Sequence, residues 1–507
     1  MRSLWLVVGG LAGLALACGT AGAFVCTSDD QCEVNGESGQ CEMTGYCSFA
    51  DDTCPSGRRY GAHAGAGLSG TCTDAPVGAG TGTGAAPAVT GGASDGGTEV
   101  PPSLSDGPDT TASTSAGDTS EGGTETTSAT GDACGAPGQP CCSAPPCPGG
   151  GACVEGMCEP CRAAVVAGEN FTCALTNAGR LDCWGQNQNG QLGDGTETSR
   201  FESMTVMDDL VAFDLGSFHA LAIDTQGTLW GWGRNADGQL DLALDGEVLA
   251  PTALALDVTP VVASGGARHS CIADETGLVT CWGANVDGQT GAQGNADQPP
   301  TLVPEVMEAV GVELGSHHSC AFGDVVRCFG RNNYSQLGSE SQGSGPDPVT
   351  VPLVAPSQAV AARDHHTCAL DVDGNVWCWG RDDFGQTGDG SDGGEHGAPT
   401  AVVGLPATVS IATGTYHSCA VSDAGEVYCW GRNHQGQLGV PGGQVAEAQL
   451  VSGVQDAIDV TAGDSHTCAA TDGGEVWCWG RNNSGALGVK DGGRNTPVLS
   501  SFVCERP

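Results

Sequence analysis

At 507 residues the chain is longer than a single hydrophobic core accommodates, about 250–300 residues, so it divides into domains. Its 83 glycines and 5% aromatic content fit turn-rich β structure and argue against a helical bundle. Sixty acidic against 17 basic side chains give a net charge of −43. That leaves no cationic footprint for nucleic acid and serves solubility and self-avoidance instead.

The first residues read as an export signal. Arg2 supplies a positive start, and residues 4–17 form an apolar run broken only by Gly, too short to span a bilayer comfortably. Two cleavage readings stand. Leu14-Ala15-Leu16-Ala17-Cys18 resembles a bacterial lipobox with Cys18 as the lipidated residue, although Ala15 occupies the usual Leu position. The alternative is cleavage after Ala21-Gly22-Ala23. The 27 cysteines point to an oxidising compartment, and without Cys18 they number 26, as full pairing requires.

Residues 1–23 are thus signal, and 24–74 a small module stapled by Cys26, Cys32, Cys41, Cys47, Cys54 and Cys72. Residues 75–133 are rich in Gly, Ser, Thr and Pro with few large apolar side chains, which predicts a disordered stalk. Residues 134–161 hold seven cysteines, Cys134, Cys141, Cys142, Cys147, Cys153, Cys158 and Cys161, in a second stapled module. Both modules loosely resemble cysteine-rich segments of surface lipoproteins of Gram-negative bacteria, a likeness that carries no activity.

From residue 162 to 507 the chain repeats. The tail of the motif recurs as WGQNQNGQLG, WGRNADGQLD, WGANVDGQTG, FGRNNYSQLG, WGRDDFGQTG, WGRNHQGQLG and WGRNNSGALG. Its anchors, Trp184, Trp232, Trp282, Phe329, Trp379, Trp430 and Trp479, are spaced 48, 50, 47, 50, 51 and 49 apart. Within a copy, Cys419-Ala-Val421, an Asp/Gly turn and Val427–Trp430 read as a hairpin, with Ala457–Val460 as the first strand of the next unit. Each such unit exposes two apolar faces, so neighbours must stack, and a closed ring hides most edges. The copies G-x-x-H-x-C-A-[LV]…G-x-V-x-C-W-G-R-N-x-x-G-Q-L-G resemble the regulator of chromosome condensation repeat. That resemblance implies an all-β, seven-bladed β-propeller. The nuclear exchange and chromatin functions of the family's founder are not carried over to an acidic chain with an export signal.

Candidate chemistry was weighed repeat by repeat. Six copies carry His219, His269, His318, His366, His417 and His466 ahead of the anchor, and the first carries Phe171. A structural hydrogen bond from ring to loop carbonyl accounts for a once-per-blade His better than metal or acid–base chemistry. Arg234, Arg331, Arg381, Arg432 and Arg481 follow the W-G or F-G, with Gln186 and Ala284 elsewhere, so a complete basic ring for an anion is absent. Asp371-Val-Asp373-Gly374-Asn375 has the start of a calcium loop but no distal Glu, and reads as a hairpin turn. No residue set departs from the repeat as converging catalytic residues would. No cofactor, metal site or catalytic residue is therefore expected. The function expected is a surface or secreted binding or scaffold protein for an unknown protein or surface ligand, without nucleic acid. The alternative is an extracellular propeller enzyme, lyase- or hydrolase-like, with a site in the propeller mouth.

The cysteine spacing predicts Cys173–Cys183, Cys271–Cys281, Cys320–Cys328, Cys368–Cys378, Cys419–Cys429 and Cys468–Cys478 within blades. The second copy has Leu221 and Gly231 there, so both cysteines are missing together. Cys504 is left to pair with one cysteine of 134–161, and Cys161 is favoured because it directly precedes the first strand of the repeats; Cys158 and Cys153 are the rivals. If Cys18 is lipidated, the chain is held at the outer membrane with residues 75–133 as its stalk. Replacing Cys18 with Ser should then move the protein from the membrane fraction to the soluble one, as immunoblotting of fractionated cells would read. Persistent membrane association would reject the lipid anchor.

Overall fold

A computed structural model describes residues 161–504, except 245, 340–342, 354 and 491, together with short strands between 33 and 158. Cys18, the stretch 75–133 and the cysteine pairing within 24–74 and 134–158 lie outside the described residues. The chain divides into two compact units, residues 19–132 and the remainder. In the first, Glu33–Val34 pairs with Glu37–Ser38, and Gln40–Cys41, Cys47–Ala50 and Arg58–Tyr60 form a three-stranded antiparallel sheet. In the second, a small hairpin of Cys153–Val154 and Met157–Cys158 precedes seven four-stranded antiparallel sheets.

Each sheet is one blade, built from four strands consecutive in sequence. Blade one comprises Ala163–Ala167, Phe171–Thr176, Leu181–Gly185 and Arg200–Met207; blade seven ends with Arg494–Leu499. First strands are innermost and touch in cyclic order, closing the ring. Inner strands are almost wholly buried, whereas the outer strand Arg200–Met207 is half-buried along nearly its whole length. The Gly of each W-G or F-G is demanded by its backbone: Gly185, Gly233 and Gly480 have φ of 109°, 102° and 101°. A Cβ on any of the three would meet backbone atoms at 2.5 Å.

Six disulfides join second to third strands, and each pair is directly opposed in register. In blade two Leu221 faces Gly231, and Leu240 and Leu254 fill the space beside that glycine. The anchor tryptophans are wedges between blades. Trp184 packs on Cys468, Cys478 and Leu487 of blade seven, and Trp232 on Cys173, Cys183 and Leu192 of blade one.

The repeat histidines sit at the start of each second strand, fully buried. Their partner is a hydroxyl of the next blade, not the loop carbonyl that sequence reasoning supplied. The pairs are His219–Ser270, His269–Ser319, His318–Thr367, His366–Ser418, His417–Thr467 and His466–Thr172, at 2.8–3.0 Å. Each hydroxyl in turn donates to a loop carbonyl of the blade before it, Gln239, Gln289, Gln336, Gln386, Gln437 or Ala486. With its one proton so engaged, the hydroxyl oxygen accepts, which assigns the proton of the neutral ring to Nε2. The same carbonyls, Gln289 excepted, also accept the indole N–H of the next anchor tryptophan at 2.9 Å. The seventh interface has neither group: Phe171 stands for His, and Ala220 of blade two stands for the hydroxyl. An apolar pair there brings in no polar group that would need a partner.

Among the described residues no strand is shared between the first and last blades, so the ring closes through side chains and one backbone bond, Asp464 N–H to the Glu169 carbonyl at 3.0 Å. Cys161 and Cys504 are bonded with Cα atoms 5.8 Å apart. Around them, Arg162 pairs with Asp472 at 2.6 Å and the Arg180 guanidinium donates to the Val503 carbonyl at 2.5 Å. Asp459 accepts from Val165 N–H at 3.3 Å, and Thr461 from Ala167 N–H at 2.9 Å.

Two outcomes follow. Replacing both Cys161 and Cys504 with Ser removes a closure of 343 residues. On the chain-entropy model this costs at most about 5–6 kcal/mol, against about 2–3 kcal/mol for one intrablade bridge. Denaturant unfolding monitored by tryptophan fluorescence should show the larger loss for the seam variant, and equal losses would reject the seam as principal closure.

The second outcome concerns acid. Burial pushes His219, His318, His417 and His466 down to about 3 and His366 to about 4. Unfolded histidine titrates near 6.5, so between these values the unfolded chain binds more protons and stability rises with pH. The contribution is present above pH 6.5 and lost as pH falls toward 3. Asp214, raised to about 6, and Asp459, raised to about 7, act in the opposite direction and are untouched by the test. A His417→Phe/Thr467→Ala variant, copying Phe171 and Ala220, should fold and take up about one proton fewer on unfolding at pH 5. Unchanged uptake would contradict the neutral ring.

Candidate protein-binding face

In every blade the loops joining strands one to two and three to four emerge on the same side of the ring. The longer of these is braced by the Asn of the repeat. Asn285 Oδ1 accepts from Thr290 N–H at 3.1 Å while its Nδ2 donates to the Ala292 and Gly294 carbonyls at 2.8 Å. Asn433 does the same with Leu438, Val440 and Gly442. Loops pinned in this way hold their side chains in place before any partner arrives.

The repeat arginines lie on this face and form no anion-binding ring. Arg234 pairs with Asp237 at 3.4 Å, Arg331 with Asp287 of the preceding blade at 3.1 Å, Arg381 with Asp383 at 2.5 Å and Arg481 with Asp464 at 3.6 Å. Arg432 Nε donates to His434 Nδ1 at 3.2 Å.

Over blades four to six the arginines interleave with aromatic rings, which sequence reasoning missed. The Arg381 guanidinium lies 4.9 Å from the Tyr334 ring and 5.2 Å from Tyr416. Arg432 lies 5.0 Å from Phe384 and 5.2 Å from Tyr416. Phe384 meets Tyr416 edge-on at 5.2 Å, and Tyr334 meets His365 at 4.8 Å. These residues are half-buried and His434 is exposed. Arg, Tyr and Phe held in stacked contact are the residue types that carry most energy at protein interfaces.

The axis also departs from the repeat, contrary to the sequence reading. Six blades place Gly168, Gly216, Gly266, Gly315, Gly414 or Gly463 three residues before the strand that follows; blade five has Arg363. Arg363 reaches across the ring and donates to the Ala167 carbonyl at 2.8 Å. Glu169, Asp214, Asp464 and Asp364 surround its charge. Burial raises Asp214 to about 6, and burial together with Asp214 pushes Glu313 well up. The cavity that Arg363, Asp214 and Glu313 line with Ala167 is about 30 Å³. That holds a water or two, whereas small-molecule sites run to about 300–1,000 Å³. The cluster therefore plugs the axis.

Asp371 lies in the hairpin turn between His366–Asp371 and Val376–Arg381. Its carboxylate accepts N–H groups of Asp373 and Asn375 at 3.0 and 2.9 Å and the Trp377 indole at 3.0 Å. The turn's own donors thus occupy it.

Residues 135–456 match the family model described as RCC1-like domain, and residues 457–486 match the regulator of chromosome condensation repeat. The chain is 28% identical over 296 residues to the ultraviolet-B receptor UVR8 of Arabidopsis thaliana, covering 54% of this chain and 66% of the receptor. It is 29% identical over 305 residues to the human E3 ubiquitin-protein ligase HERC2, but spans only 6% of that protein. The human regulator of chromosome condensation is 26% identical, with 73% of its length covered. Two solved structures share the fold. Prp20p of Saccharomyces cerevisiae has a TM-score of 0.54 and 20% identity over 61% of this chain and 81% of its own. Human WBSCR16 has 0.57 and 20% over 64% and 94%. With seven contiguous blades and a family match across more than half its length, this chain belongs to the RCC1-like domain family of β-propellers.

Proposed function

We propose that the chain is a protein-binding propeller displayed outside the cell, whose contact face is centred on Tyr334, Arg381, Phe384, Tyr416 and Arg432. The observation that carries this reading is the cation–aromatic ladder across blades four to six. Arg381 and Arg432 are braced among three aromatic rings, with the Arg381 charge answered by Asp383. Prp20p, of similar fold, is described with binding to Gsp1p and histones, which supports a protein rather than a small molecule as ligand. The disulfides of the ring support an oxidising compartment, and a lipid on Cys18 would tether the propeller through residues 75–133.

Full-length protein carrying Tyr416→Ala and Arg432→Glu should retain captured extracellular partners at least about tenfold less than wild type. Its thermal midpoint should stay close to wild type. Val372→Ala, in an exposed turn on the opposite face, should leave capture intact. Equal retention by both variants would remove the ladder as the contact face.

A further inference from the structure

Blade five departs from its siblings a second time. Where six copies have Asn in the strand-three-to-four loop, this one has Asp382. The substitution removes two donors. In blades three and six the Asn amide donates to the carbonyls seven and nine residues on. The residues at those offsets in blade five are Asp389 and Ser391, and a carboxylate has no N–H to offer their carbonyls.

Asp382 is fully buried, at 0% exposure. Its Oδ1 accepts Thr387 N–H at 2.8 Å, but its Oδ2 has no hydrogen bond. That oxygen faces His396 Nε2 at 3.5 Å, and the same nitrogen is 3.2 Å from Asp389 Oδ2. His396 Nε2 is itself buried without a hydrogen bond. The three ligand-capable atoms lie within 4.8 Å of one another. They are held firmly. His396 lies on the outer strand Glu395–Ala401, opposite Gly380. Ser391 donates twice to Asp389 Oδ1, at 2.9 and 2.8 Å, and so turns Oδ2 toward the other two atoms.

Blade one shows what this position requires. There the corresponding trio is Asn187, Asp194 and Arg200, with Arg200 opposite Gly185 in register and its Nε 2.8 Å from Asp194 Oδ2. A fixed positive charge answers one carboxylate. Blade five has two carboxylates and an imidazole in place of the guanidinium, so no fixed positive charge answers them.

We propose that Asp382 Oδ2, Asp389 Oδ2 and His396 Nε2 form a binding site for a divalent transition-metal cation of the zinc type. One imidazole nitrogen with two carboxylates suits such an ion, whereas calcium takes six to eight oxygens. The cation replaces the bracing that the amide supplies in the sibling loops. Asp382 lies between Arg381 and Phe384, so occupancy also stiffens the loop that carries both.

The test uses the full disulfide-bonded chain, stripped with chelator and titrated with zinc chloride by calorimetry, alongside Asp382→Asn and His396→Ala. Asp382→Asn restores the residue of the other six loops, so it keeps the fold. Wild type should bind one zinc more than either variant, and zinc should raise its thermal midpoint but not that of Asp382→Asn. Cobalt should give a visible absorption band in wild type that is missing from both variants. Identical zinc stoichiometry in wild type and Asp382→Asn would overturn the proposal and leave His396 as a protonated partner of two carboxylates. Stoichiometric displacement of zinc by calcium would overturn the assigned metal class.

Discussion

The ring rests on one carbonyl per blade junction. In five of the seven junctions the loop carbonyl at the Gln position accepts both an indole and a hydroxyl from the next blade, and that hydroxyl accepts a buried imidazole. All these groups are shielded from water, so losing any one strands the others at a cost of about 1–3 kcal/mol each. This requirement explains why the repeat holds Trp, His, Ser or Thr, and Gly together. In the five blades that have both, the glycine three residues before His leaves room for the ring, since a Cβ on Gly216 would come within 2.3 Å of His219; blade five, with Arg363 there, turns through Asp364 at a φ of 46° instead. Blade four keeps the junction with Phe329 by dropping the indole donor alone, and the carbonyl of Gln289 still receives Ser319.

The fold was legible because its determinants recur. Seven anchors near fifty residues apart indicate blades, and the paired loss at Leu221 and Gly231 indicates that the cysteines act in couples. The same reasoning was available for the histidines: Phe171 and Ala220 depart together. It was overlooked because the two residues belong to different copies, and only stacking of blade one on blade two shows that they meet. Arg363 was hidden for a related reason. A Gly-to-Arg change reads as repeat noise until the ring brings it opposite Ala167, 196 residues away. Tyr334, Phe384 and Tyr416 occupy variable positions of three copies, so no motif could announce the ladder.

Charge explains why blade five concentrates the exceptions. The chain has few cations, and several of those among the described residues have a defined task. Arg162 and Arg180 hold the seam, Arg200 answers Asp194, and Arg363 closes the axis. Blade five and its neighbours take Arg381 and Arg432 to the surface, and blade five alone crowds Asp382 beside Asp389. The charged and aromatic departures thus gather around blade five, whereas those of blades one and two, Phe171, Ala220, Leu221 and Gly231, are apolar.

Because every blade is a contiguous stretch of chain, the ring has no topologically privileged starting point. Many propellers lock shut by weaving strands from both termini into one sheet; here blade one and blade seven are each complete on their own. Circular permutants that open between any two blades would therefore preserve all seven sheets, provided residues 161 and 504 were joined. The same modularity lets recombination insert or delete a blade as a whole unit without leaving a half-formed sheet. A propeller assembled this way is free to vary one blade, as blade five has done, while the junction chemistry on either side stays unchanged.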